Sequence, residues 1–215
     1  MIFSPWELVS FIGLVILLVI FPGPNMLLVT QSVGLFGKKT GFFNVAGIVT
    51  ALYIHAIVFA LGLSIIMVKS SEVFHIIRIA GGIYLIYIGI SSIWTSTRIK
   101  NKDGLSEEEY LPSTNKETPI KSYLKGLISC VLNPKAALFF LSFFPQFIHA
   151  QYPVLTQSLV LTLVWSGISV TWYSALILFL SRFRAILESQ KFKRNFGILT
   201  GTALLGVGIK IAINK

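Results

Sequence analysis

The stretch Leu17-Leu18-Val19-Ile20-Phe21-Pro22-Gly23-Pro24-Asn25-Met26-Leu27-Leu28-Val29 sets two apolar helix formers around a proline-glycine-proline interruption. Proline has no amide hydrogen, and its ring clashes with the carbonyl four residues back. Pro22 and Pro24 therefore leave the carbonyls of Leu18 and Ile20 without helical partners, and Gly23 loosens the chain between them. Unpaired backbone groups are costly in hydrocarbon and persist only where protein or water covers them. A second interruption, Asn133-Pro134-Lys135, treats the carbonyl of Cys130 the same way. The break at 22–25 is hard to avoid, whereas Pro134 alone is compatible with a simple kink.

Working outward, six long apolar stretches emerge, at about 5–36, 41–66, 73–96, 122–148, 153–181 and 195–213. Each is long enough for the roughly 20 residues that a bilayer crossing needs. Composition agrees: 54% of the 215 residues are hydrophobic and only 12% charged, about half the charge of a soluble domain. Most of the surface must face lipid. The expected fold is an all-α membrane protein of six transmembrane helices in a single domain, helices 1 and 4 being broken or kinked. The N-terminus does not read as a cleavable signal, because it carries Glu7 rather than a cationic region and runs into Pro22-Gly23-Pro24.

A net charge of +10 raises the question of nucleic acid, but the cations stand in short patches between apolar stretches, so no nucleic-acid partner is expected. Thirteen fall on one side: Lys38 and Lys39, six from Arg98 to Lys125, and five from Arg182 to Arg194. The other side holds Lys69, Arg78, Lys210 and Lys215. Cytoplasmic loops carry the excess of Lys and Arg, which puts the central linker inside and both termini outside. That linker, about 98–121, divides the chain into repeats of about 1–97 and 122–215. Three spans per half make the second half enter from the opposite side, the geometry of inverted repeats. Each interruption falls in the first helix of its half.

One cation remains, Lys135, about 12 residues from either end of its span. At 1.5 Å per residue this is roughly 15–18 Å from water, too far for a lysine stem to snorkel. Such a residue faces a cavity or the bundle interior, either as counter-charge for an anionic ligand or as a cation held by proline-freed carbonyls. Asn25 and Asn133 each begin a new apolar run, and Asn is a favoured N-cap. A half-helix N-terminus near the midplane suits a substrate carboxylate, so the expected substrate-binding set is Pro22, Gly23, Pro24, Asn25, Asn133, Pro134 and Lys135. Two kinked packing helices without a ligand are the plainer reading. Carbonyls near Leu18 and Ile20 are candidate acceptors for a substrate amino group. His55, in mid-span, is a candidate proton carrier or an interhelical hydrogen-bond partner. Gln31, Asn44 and Thr50 are further candidates to line the cavity.

No Asp or Glu falls inside an apolar stretch except Glu7 at a margin, which favours neutral zwitterionic substrates over dibasic ones. A single cysteine, Cys130, excludes a dithiol or CxxC zinc site. Gly167-Ile168-Ser169-Val170 departs from the Gly-x-Ser-Gly setting of membrane serine proteases, and no HExxH is present. No enzyme, no cofactor and no bound metal are expected. A channel or a metal-ion or other small-solute exporter is the alternative to an organic-solute transporter. Glycines at helix-packing spacing, Gly81, Gly82 and Gly89 in span three and Gly197, Gly201, Gly206 and Gly208 in span six, need no ligand to explain them. Trp94, Trp165, Trp172 and Tyr173 read as interface or packing aromatics.

At these motifs the chain resembles the LysE/RhtB amino-acid exporter family of bacteria. The resemblance rests on Phe21-Pro22-Gly23-Pro24-Asn25 followed by Gly37-Lys38-Lys39-Thr40-Gly41 and Gly47, on Gly81-Gly82-Ile83-Tyr84-Leu85 with Gly89, on Asn133-Pro134-Lys135-Ala136-Ala137 running to Phe144-Pro145-Gln146-Phe147, and on the glycines of the last stretch. It covers almost the whole chain; Ala51 departs where the family often has a second glycine. It implies a secondary active exporter of amino acids or close derivatives, such as homoserine, threonine or leucine, driven by the proton gradient across the bacterial inner membrane. Its partners are then the amino acid, protons and the lipid bilayer, with a homodimer left open.

Overall fold

The computed structural model describes residues 2–21, 23–69 and 117–180, with isolated positions between 79 and 97 and between 189 and 209. The expected third and sixth spans and most of the linker lie outside the described stretches, as do Pro22, Gly81, Gly82, Gly197 and Gly208. Described residues form helices α1 (Pro5–Ile20), α2 (Pro24–Phe36), α3 (Lys38–Lys69), α4 (Pro119–Val131), α5 (Pro134–Ser142) and α6 (Val154–Leu178), with a 3-10 turn at Phe144–Phe147. No strand occurs among them.

Prolines punctuate these helices. Pro24, Pro119 and Pro134 each stand at a first helical position, where a missing amide is harmless. The residue before a proline is pushed out of helical geometry. Phe21 (φ −61°, ψ 123°), Gly23 (φ −159°, ψ −177°) and Asn133 (φ −76°, ψ 109°) are accordingly all extended. The chain therefore bends by 50° between α1 and α2 and by 55° between α4 and the segment from Lys135 to Phe147. Pro134 does not act as a mere kink; its break is the sharper of the two.

At its start α1 carries a capping box, Ser4 Oγ accepting from the Glu7 amide at 3.3 Å while Glu7 Oε2 accepts from the Ser4 amide at 2.7 Å. Between α2 and α3 the turn is made by Gly37, at φ 90°, whose amide bonds to the Val33 carbonyl. Two of the described helices, α3 over Lys38–Leu63 and α6, are long and apolar enough to cross a membrane unaided, and four crossings result if each bent pair is one span. Large apolar side chains such as Trp6, Val58, Leu61 and Leu163 face outward, as lipid-facing positions must.

Helix α3 packs most extensively on α4, and then on α6. Its approach to α4 is close enough that a Cβ on Gly47 would run into the Tyr123 carbonyl, and one on Gly126 into the Asn44 carbonyl. Gly89 and Gly201 form a similar approach: a Cβ on either would sit 2.7 Å from the other's carbonyl oxygen. Behind the second break, Phe139, Phe140 and Phe144 form an aromatic cluster with Trp165 of α6. Phe140 stacks on the indole at 4.9 Å and Phe139 meets it edge-on at 4.7 Å. This cluster fixes Trp165 against the space between the two breaks.

Candidate functional site

A cavity of about 40 Å³ lies between the breaks, walled by the end of α1, the start of α2, the middle of α3, the start of α5 and one face of α6. By the space a single water needs, it holds about three. Lys135 projects into it from the first turn of α5. Its Nζ donates to the Leu18 carbonyl at 2.7 Å and to the Phe21 carbonyl at 3.1 Å, and lies 4.9 Å from the centre of the Phe21 ring. Leu18 is the carbonyl that Pro22 deprives of a helical donor, and Phe21 is the last residue before the break. An ammonium has three donors; two are engaged here, and the third is available to the cavity. The lysine runs alongside Gly23, where a Cβ would lie 3.5 Å from Nζ, in ordinary van der Waals contact.

The two half-helix N-termini differ. At α5, Asn133 is the N-cap: its Oδ1 accepts from the Lys135 amide at 3.0 Å, and its carbonyl accepts from the amides of Ala136 and Ala137. That terminus is already satisfied. At α2 the N-cap is Gly23, and no side chain caps it. Asn25 sits at the second helical position rather than at the cap, because Pro24 takes the first. The Leu27 amide reaches the Gly23 carbonyl at 3.0 Å, while the Asn25 amide has no acceptor among the described residues. The Asn25 side chain accepts from Ser129 Oγ at 3.4 Å, tying α2 to α4. An open helix N-terminus thus borders the cavity that also holds the lysine.

His55 is placed beside the second break, not in the cavity wall. Its Nε2 is 3.1 Å from the Cys130 carbonyl, and its ring stacks on Phe140. That carbonyl lacks the usual donor four residues on, because Pro134 has no amide hydrogen, but it accepts from the Asn133 amide at 3.1 Å. A carbonyl only accepts, so Nε2 carries a hydrogen. Each break therefore brings a backbone carbonyl to a side chain of another helix, Leu18 to Lys135, and Cys130, shared with the Asn133 amide, to His55. Of the two residues whose carbonyls were expected to receive a substrate amino group, Leu18 is engaged by Lys135 and Ile20 is not among the residues lining the cavity.

Of the sequence-derived site residues, Gly23, Asn25, Asn133 and Lys135 line the cavity. Pro24 and Pro134 set its helix starts, and Pro22 lies outside the described residues. The three candidate lining residues do not border it. Gln31 is exposed, Thr50 donates to the Ala46 carbonyl of its own helix, and Asn44 is buried at the α3–α4 contact. Besides apolar wall residues such as Met26, Ile48 and Leu52, the sequence reading did not assign Trp165, Ser169 and Tyr173 to a site. For Trp165, Ser169 and Tyr173, a spacing of four along α6 was the available signal, since it puts all three on one helix face.

Over residues 16–215 the chain matches the family model described as LysE type translocator. It is 30% identical to the membrane protein YrhP of Bacillus subtilis (strain 168) over 97% of this chain and 99% of that protein. It is also 28% identical to a homoserine/homoserine lactone efflux protein of Salmonella typhi, covering 82% of this chain and 81% of the relative. A threonine efflux protein of the same organism is 25% identical, over 90% of this chain and 91% of the relative. No solved structure matches the chain. These full-length matches, added to an apolar helical chain with two bent helix pairs, mark a membrane translocator and not an enzyme: the protein belongs to the LysE type translocator family.

Proposed function

We propose that the protein exports neutral amino acids or close derivatives across the bacterial inner membrane, coupled to protons, by alternating access between two inverted three-helix repeats. The observation that carries this reading is the Lys135 ammonium, held inside the bundle between two helix breaks with one donor to spare. A substrate carboxylate takes that donor and the uncapped N-terminus of α2, where the Asn25 amide and the helix dipole favour an anion. Asn133 acts one step back, by holding α5 and so the lysine in place. The Ile20 carbonyl, which does not line the cavity in its present form, is the proposed acceptor for the substrate's ammonium group once the walls part.

Two further points support a neutral amino acid. No carboxylate lines the cavity among the described residues, so a second substrate cation would lack a partner. The threonine and homoserine efflux relatives carry solutes of this kind. In its present form the cavity is smaller than a free amino acid, so loading requires the walls to part. The breaks at 21–24 and 132–134 are the proposed hinges. His55, bonded to the backbone at one hinge, is the proposed proton carrier.

The test is efflux of labelled neutral amino acids from cells expressing the wild type, Lys135→Ala or Asn133→Ala. Export is expected to be abolished by the first and reduced by the second, at equal protein levels in the membrane. Unchanged export by Lys135→Ala would overturn the site. Loss of the pH gradient at constant membrane potential is expected to slow wild-type export; indifference to it would remove the coupling.

A further inference from the structure

The α6 wall of the cavity holds two hydroxyls that the carboxylate seat leaves unused. Ser169 and Tyr173 are 2% and 5% exposed, one helical turn apart, and both border the cavity. Ser166 and Thr171 spend their hydroxyls within the helix, on the Leu163 carbonyl at 2.9 Å and the Gly167 carbonyl at 2.8 Å, while Ser158 and Thr162 are buried without partners but do not border the cavity. Ser169 Oγ and the Tyr173 hydroxyl have no hydrogen-bond partner among the described residues. A buried hydroxyl without a protein partner is unfavourable unless water in the cavity or a ligand answers it. Two such groups side by side in one cavity wall await a ligand that both donates and accepts.

We propose that Ser169 and Tyr173 are the specificity pair, reading a hydroxyl on the substrate's side chain while Lys135 and the start of α2 hold its carboxylate. The proposal rests on the amino-acid export reading above and names the part of the substrate that α6 recognises. Chemistry selects the group. Each hydroxyl offers one donor and acceptor lone pairs, and the smallest neutral group that answers both is another hydroxyl. A charged side chain finds no countercharge on α6, whose wall positions are Trp165, Ser169 and Tyr173. An alkyl side chain fills the space but leaves both hydroxyls orphaned. The seat and the reader come from different helices, so a backbone common to all amino acids and a side chain peculiar to some are sensed separately.

Threonine and valine differ by a hydroxyl against a methyl in nearly the same volume, which makes their ratio the readout. Purified protein in liposomes is loaded with each labelled amino acid, and efflux is measured for the wild type, Ser169→Ala, Tyr173→Phe and Lys135→Ala. A site that bonds a substrate hydroxyl rejects the analogue lacking it by a wide margin, so the wild type is expected to favour threonine at least roughly tenfold. Each α6 variant is expected to lower that ratio roughly threefold or more through slower threonine efflux, valine efflux serving as the check on folding. Lys135→Ala is expected to stop both. Ratios unchanged in both α6 variants overturn the specificity pair while leaving the export reading intact. A wild type that moves neither amino acid overturns both readings. Competition on the wild type supplies a test free of variants: unlabelled homoserine is expected to slow labelled threonine far more than valine does, and equal competition overturns the proposal.

Discussion

At the residue scale the protein turns on Lys135, which has two separable duties. It donates to the Leu18 and Phe21 carbonyls, and under the proposed function it also supplies positive charge to a carboxylate. Lys135→Met removes both. Two buried carbonyls then lose their donor, at a cost of about 1–3 kcal/mol each, and export is lost. Lys135→Gln separates the duties, because an amide still offers two N–H donors but no charge. It is expected to recover much of the thermal stability in detergent while export stays at least tenfold below wild type; a Gln variant that exports normally would show that charge is not required. The lysine was legible in the sequence, since no stem spans half a membrane. Asn25 as a cap was a misreading with a physical cause: proline claims the first helical position, so the cap is the residue before it. That rule gives Asn133 correctly and gives Gly23, not Asn25, at the first break. Ser169 and Tyr173 were not legible as cavity residues because an isolated Ser or Tyr in a span packs more often than it binds. Only their common face with Trp165 distinguishes them.

At the scale of elements, the breaks decide what the helices can do, and each is braced by a side chain from elsewhere. The Cys130 carbonyl accepts from the Asn133 amide and from His55, its usual donor four residues on being absent because Pro134 has no amide hydrogen. Alanine at position 134 restores that amide, so His55→Ala should matter less in a Pro134→Ala background than in the wild type. A double-mutant cycle on thermal stability is expected to give a coupling of about 0.5–3 kcal/mol; strictly additive effects would mean that the bond contributes nothing. Packing around the breaks sets a second expectation. Gly126 has no room for a Cβ against the Asn44 carbonyl, and backbone cannot yield as a side chain does. Gly126→Val is therefore expected to destabilise the protein by about 1–3 kcal/mol or more and to lower its level in the membrane, whereas Gly62→Ala, facing open space, should be silent in the same assay. The first break was plain in the sequence because two prolines flank a glycine. The second was underestimated: a lone proline often only kinks a helix, but here Leu132 leaves the helix and Asn133 is extended and caps the next one.

At the scale of the whole molecule, the proposed orientation rests on charge, and two contacts among the described helices tie together ends that the charge count puts on the same side. Lys38 Nζ donates to the Leu178 carbonyl at 3.3 Å, where a cation also complements the C-terminus of α6. This joins the start of α3 to the end of α6, the two places from which the cationic patches at 38–39 and 182–194 extend. At the opposite ends, Glu7 Oε1 lies 3.1 Å from His149 Nε2, tying the start of α1 to the loop before α6, and that loop carries no Lys or Arg. Chain direction thus sorts the described ends into a cation-rich face and a cation-poor face, and we propose from the excess of Lys and Arg that the first is cytoplasmic. Fluorescent-protein fusions, which mature only inside, should be bright when placed in the 98–121 linker. Alkaline phosphatase, which folds only outside, should be active when placed after Ala150 or after Lys215. Dark linker fusions and inactive phosphatase at both outer positions would invert the orientation. The charge bias would then have been outweighed, and the carboxylate seat would have to load from the other side of the membrane.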